Sequence, residues 1–214
     1  MKFIRLVTVL AALLVSAQAG ASPLTFSFKA TLESDVDWVG LVRVYPGGTV
    51  VDGQFQIDEN IAGTDYPNMT YYNGAFSGYA HIGDNTIHFA DSLAYTHDLY
   101  PGYTIITMLG GNAWNTGGSI AENQPPAGYN VNGLQLRFTF EGTKPTNTPV
   151  RSLFADSKLL SSSFYVGYGI ENNLTHANWG DITEIRKVPE PSTGFLMGLG
   201  LIGLLAIHKR QRQA

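Results

Sequence analysis

Two histidines, His81 and His88, stand seven residues apart across a Gly83-Asp84-Asn85 turn signal, a spacing at which a β-hairpin brings the rings to neighbouring positions. An imidazole pair binds zinc when further ligands complete the set, and no third ligand stands near these two. Carboxylates gather twice. Glu33, Asp35 and Asp37 fall on one strand face, and Asp58, Glu59 and Asn60 with Asp65 occupy a turn-rich stretch. The first group lacks the Gly and distal Glu of the EF-hand template. The second leaves Ca2+ as an alternative to an ordinary solvated loop. Carboxylate chemistry on glycosides depends on a separation in space that a sequence does not give, so it stays open as a lesser alternative. There is no G-x-S-x-G, no H-E-x-x-H and no cysteine nucleophile. Gly198-Leu199-Gly200-Leu201-Ile202-Gly203 matches the dinucleotide fingerprint only formally. It lies in an apolar run with no acidic residue about 20 positions on. The expectation is a chain without catalytic residues, resident metal or cofactor, Ca2+ being the one ion the residues suggest.

A further lead is the set Trp38, Tyr45, Tyr66, Tyr71, Tyr72, Tyr79, Tyr95, Tyr100, Tyr103, Trp114, Tyr129 and Trp179. Rings beside Gly and Asn loops serve as sugar-stacking surfaces, but they also serve as core and edge residues of β-sheets with one end left wet. The structural use is the expected one, and exposure of Trp114 would favour the other.

The elements that hold these residues follow from composition. Charged residues are 14% of the 214, against about a quarter in an average soluble domain, which excludes long solvated helices and charged disordered tails. Five of the 13 basic residues (Lys2, Arg5, Lys209, Arg210, Arg212) and one of the 17 acidic ones (Glu190) sit near the two ends. Residues 22–187 therefore keep 8 basic and 16 acidic side chains and carry about −8, not the −4 of the whole chain. An acidic domain is a poor duplex binder, so no nucleic-acid partner is expected.

Both ends are apolar. Lys2 and Arg5, the run Leu6 to Val15 and the small residues Ser16 to Ala21 have the three-part order of an export signal. Ala17-Gln18-Ala19 and Ala19-Gly20-Ala21 both offer a cleavage site, after Ala19 or after Ala21. At the other end, Val188-Pro189-Glu190-Pro191 precedes a 15-residue apolar run from Thr193 to Ile207 and the basic cap Lys209, Arg210 and Arg212. The two prolines keep Glu190 on an extended segment that neither helix nor sheet absorbs. The run is short against the roughly 20 residues of a comfortable bilayer span. Extension back to Pro191 and snorkelling of the basic cap make a single transmembrane helix with a cytoplasmic tail feasible.

These residues resemble the PEP-CTERM sorting signal of exported proteins of Gram-negative bacteria. The resemblance covers residues 188–214, with Pro189, Glu190 and Pro191 matching the motif and Val188 at its preceding apolar position. It implies the general secretion machinery and an exosortase-type processing enzyme as partners and an inner-membrane-anchored precursor. It also implies delivery to the cell surface or an extracellular polysaccharide matrix. No motif residue is catalytic.

Between the ends, period-two alternation dominates: Leu24, Phe26, Phe28, Ala30 and Leu32; Leu134, Leu136, Phe138 and Phe140; Phe164, Val166, Tyr168 and Ile170; and Phe76 to Ile82. Further strands are expected at 38–45, 50–57, 86–89, 103–108 and 181–186, a short helix within 149–160 and a long loop over 112–130. The expected layout is a signal peptide (1–21), an antiparallel all-β sandwich of jelly-roll type (22–187) and a sorting and anchor segment (188–214). The middle domain is expected to be a non-catalytic passenger, with carbohydrate or calcium binding as the alternative.

Overall fold

Alternate apolar side chains along Leu24–Leu32 leave one face of that strand to be covered, and the rest of the chain curls round to cover it. The computed structural model describes residues 23–33, 44–97, 102–111, 119–123, 130–145, 148–170 and 173–189. The strands are β1 (Leu24–Leu32), β2 (Val50–Ile57), β3 (Thr64–Tyr66), β4 (Met69–Ile82), β5 (Asn85–His97), β6 (Tyr103–Gly110), β7 (Ser119–Glu122), β8 (Asn130–Glu141), β9 (Leu159–Ile170) and β10 (Asn173–Lys187), with one helix, α1 (Val150–Asp156). All pair antiparallel in one ten-stranded sheet. With the short side strands β3 and β7 set apart, β1, β2, β4, β5, β6, β8, β9 and β10 each pair with the next in sequence, and β10 returns to β1.

The all-β, antiparallel expectation holds. The crossovers of a jelly roll are not found among the described strands. Tight connections, such as the Gly83-Asp84 turn between β4 and β5, join neighbours directly and produce a meander. Residues 38–43 of one expected strand lie outside the described residues, and Val44 and Tyr45 form a bend. The stretch 112–130 contains β7, four residues added to the side of β5. The expected helix shortens to α1 behind Pro149, because Leu159 and Leu160 already belong to β9.

Aromatic side chains fill the interior. Phe28, Phe55, Phe76, Phe89, Phe138, Phe140, Phe164 and Tyr168 are all fully buried. Phe55 sits among them, 5.2 Å from Phe26, 5.7 Å from Phe138 and 5.9 Å from Phe76 between ring centroids. An eight-strand circuit encloses room for side chains and little more. Two close strand approaches make room for the rings: a Cβ at Gly53 would strike the Tyr79 carbonyl and the Phe28 ring, and one at Gly78 would strike the Gln54 carbonyl and the Phe89 ring.

Each end of the interior is covered. Where β1 begins and β10 finishes, α1 lays Phe154 against Phe26, Phe138 and Phe140 at 4.6, 5.1 and 5.2 Å. Glu59 fixes that helix by accepting the Arg151 backbone N–H (2.6 Å) and its Nε–H (3.0 Å). At the opposite end, the buried Asn178 side chain accepts the N–H groups of Val44 and Tyr45 (3.1 and 3.0 Å) and donates to the Tyr45 carbonyl (2.8 Å). The Tyr45 ring then lies 6.1 Å from Tyr168, and Asn85 donates to its hydroxyl.

Among the described residues no helix is long and apolar enough to cross a membrane. The runs Leu6 to Val15 and Thr193 to Ile207 lie outside them. Because the ring cluster centres on Phe55, Phe55→Ala is expected to lower unfolding free energy by about 3–5 kcal/mol, read from chemical denaturation with the slope unchanged.

Candidate functional site

The described part of the sorting motif begins where the sheet ends, and backbone chemistry sets that boundary. β10 pairs with β1 from Gly180 opposite Leu32 down to Lys187 opposite Phe26, with a bulge at Lys29/Ala30. One further bond, from the Val188 N–H to the Thr25 carbonyl at 2.9 Å, extends the ladder past the last strand residue. Pro189 follows and has no N–H, so it cannot donate to the ladder. Val188 is half-buried and Pro189 exposed. On the paired strand, Pro23 stands just before Leu24, again exposed and without a donor.

Both chain directions therefore leave the sheet at one place. The zipper is reinforced from outside by Ser27, whose hydroxyl donates to the Arg186 carbonyl (3.5 Å), and by Glu184, which pairs with Arg186 and, at 3.9 Å, with Lys29. These surface pairs add little individually; the backbone ladder carries the junction. No spacer separates the folded sheet from the motif. Glu190 and Pro191, the cap Lys209, Arg210 and Arg212, and the cleavage-region residues Ala17, Ala19 and Ala21 lie outside the described residues.

The candidate ligand groups are placed as follows. The β4–β5 hairpin brings the histidines to rungs two apart, His81 opposite Thr86 and His88 opposite Tyr79, with Ala80 opposite Ile87 between them. His81 Nδ1 then bonds the Thr86 hydroxyl at 2.9 Å, and the Tyr79 ring lies 4.9 Å from His81 and 6.2 Å from His88. Among the described residues no three His, Asp or Glu side chains gather as a metal site would need.

The loop acids each take a separate partner. Asp58 accepts the Asn60 N–H (2.9 Å), Glu59 holds Arg151, and Asp65 accepts the Thr70 hydroxyl (2.6 Å). Burial, and then the nearby Asp65 and Glu59 carboxylates, raise the Tyr72 hydroxyl above its ordinary value. Asp35, Asp37, Trp38, Tyr100, Trp114 and Tyr129 lie outside the described residues. Of the other aromatics, Tyr45 serves the end closure described above, and Tyr66 meets Tyr71 edge-on at 5.2 Å on the β3–β4 hairpin.

One aromatic pair was not evident from sequence. Tyr165 of β9 stands opposite Trp179 of β10, and their rings meet edge-on at 5.8 Å on the outward face. Tyr165 reads as one more outward position of a strand whose inward residues are apolar, and nothing in that alternation marks it. Burial pushes its hydroxyl up to about 12.

Residues 187–211 match the PEP-CTERM protein-sorting motif family. Neither a curated protein nor a solved structure gives a significant match to the chain.

The raised Tyr165 value gives a pH signature. A phenol held neutral in the fold contributes stability that is whole below the unfolded pKa of about 10. That contribution falls as pH rises through 10 toward 12, where the folded group also ionises. Tyr165→Phe should flatten this part of the alkaline stability curve relative to the parent, measured by denaturation at a series of pH values.

Proposed function

We propose that this chain, which carries a PEP-CTERM sorting signal, is an exported protein whose passenger is a non-catalytic β-domain, delivered to the cell surface or an extracellular polysaccharide matrix. The motif implies an exported, membrane-processed protein and exosortase-type machinery. The observation that carries the reading is the junction at Val188. The last ladder bond and the first motif proline adjoin, so the folded sheet ends where the sorting signal starts. The N-terminal pattern of Lys2 and Arg5, an apolar run and Ala17, Ala19 and Ala21 supports entry by the secretion pathway. A short helix through Thr193 to Ile207 with Lys209, Arg210 and Arg212 behind it would hold the precursor in the inner membrane until processing.

A non-catalytic passenger is supported by how the polar groups are used. The interior is occupied by rings and covered at each end by Phe154 and Tyr45, which favours surface binding over enclosed chemistry. Commitment of Glu59 to Arg151 and of Asp65 to Thr70 weighs against calcium at that loop and against paired acid catalysis there. Carbohydrate binding on the outer face is the second reading, favoured by the Tyr165–Trp179 pair.

The test compares the full chain with one ending at Lys187, each produced in a host with exosortase and followed by cell fractionation and surface labelling. The full chain is expected in the envelope or matrix fraction, and the shortened chain in the periplasm or medium. Equal surface placement of the two would refute the sorting role.

A further inference from the structure

The outward face of β8, β9 and β10 carries a groove that sorting does not explain. Register places Gln135, Tyr165 and Trp179 in one row, and Arg137, Ser163 and Asp181 in the next. Thr139 and Ser161 follow in a third. Small serines on the central strand between larger side chains on its neighbours leave a trough of about 260 Å³. Arg137 and Asp181, two strands apart, have backbones about 10 Å from each other across it.

The groove combines chemistries that are not used up within the protein. Lys29, Arg186, Lys158 and Arg151 each reach a carboxylate, whereas among the described residues no carboxylate lies within ion-pair distance of Arg137 and no cation within that distance of Asp181. Trp179 is held in place: Tyr165 abuts its ring, and its backbone carbonyl accepts the Glu33 N–H at 2.8 Å. A ring backed by Tyr165, beside one donor group, one acceptor group and hydroxyls, suits a ligand with an apolar C–H face and a rim of hydroxyls. Arg137 would donate to ring or hydroxyl oxygens, Asp181 would accept from hydroxyls, and the serines would do either.

Other occupants fit less well. β8, β9 and β10 are paired on both sides here, so no strand edge invites an extended peptide. The acidic passenger repels nucleic acid, and one carboxylate is too few for a hard cation. We propose that the groove of Arg137, Ser163, Trp179 and Asp181 binds neutral hexose units of an extracellular glycan. The proposal deepens the matrix reading and rests on it for the source of the glycan.

The test uses the full chain in a non-glycosidic detergent and affinity electrophoresis through gels containing dextran, galactomannan, dextran sulfate or the neutral polysaccharide of the producing cells' matrix. Retardation by at least one neutral polymer is expected. Trp179→Ala and Arg137→Gln should each weaken it tenfold or more and Asp181→Asn at least threefold, with His88→Ala, outward on β5, unchanged. Melting curves verify each fold, and if Trp179→Ala misfolds the two charge-removing variants decide. Retardation by dextran sulfate alone, by no polymer, or equally in Arg137→Gln and Asp181→Asn would overturn the proposal. Such a result with the tail-dependent placement intact would reject the groove alone. Unaltered surface placement of the tail-less chain with binding retained would reject sorting alone.

Discussion

The pairing of the first described strand with the last is the constraint on which the rest depends. β1 and β10 are joined from Leu32–Gly180 to Phe26–Lys187, and the ladder continues through Val188 to Thr25. Without it the meander would be an open sheet with two long unpaired edges, each a template for aggregation. Because the partners lie more than 140 residues apart in sequence, closure is a non-local event whose loop entropy must be met by the interior it completes. The ring cluster around Phe55 supplies that return, since closing the circuit sets Phe28 of β1 against Phe164 of β9 at 6.0 Å and Phe55 of β2 against Phe138 of β8 at 5.7 Å. With no cysteine in the chain, packing and pairing hold the closure without a covalent staple.

Filling the interior leaves the outer faces and the strand ends as the accessible surface. Rings occupy the space that a wider closed sheet would leave for a ligand, and Phe154 and Tyr45 cover the openings. What remains are the outer faces of the strands and the place where the chain leaves the sheet. Prolines mark that place on both strands, Pro23 before β1 and Pro189 after Val188. The lack of an amide donor that suits proline to a recognition element also ends the ladder, so one residue type sets both the limit of the fold and the start of the motif.

Much of this was legible in the sequence, and the unreadable remainder has physical causes. Alternation located β1, β8, β9 and the second half of β4 because the apolar positions of each turn inward. The tail was legible because its three unlike parts stand in a fixed order. β3 and β7 were missed because strands of three and four residues on a sheet's side bury too little to leave a pattern. The jelly-roll expectation failed because strand count and turn signals do not specify which strands meet. Glu59 and Arg151 are 92 positions apart, and a loop carboxylate that steadies a helix looks the same in sequence as one that awaits calcium. Arg137, Ser163 and Asp181 come together only through the register of three strands.

The central claim is that the closing ladder runs to Val188 and stops at the motif. Residue-resolved amide hydrogen exchange on the full chain in micelles tests it most directly. Protection at Arg186 and Val188, whose N–H groups face β1, should match the interior of β10 and disappear at Glu190. Exchange at unprotected rates from Arg186 onward would contradict the claim, since the motif would then hang from a frayed strand and the closed sheet would have no part in presenting it.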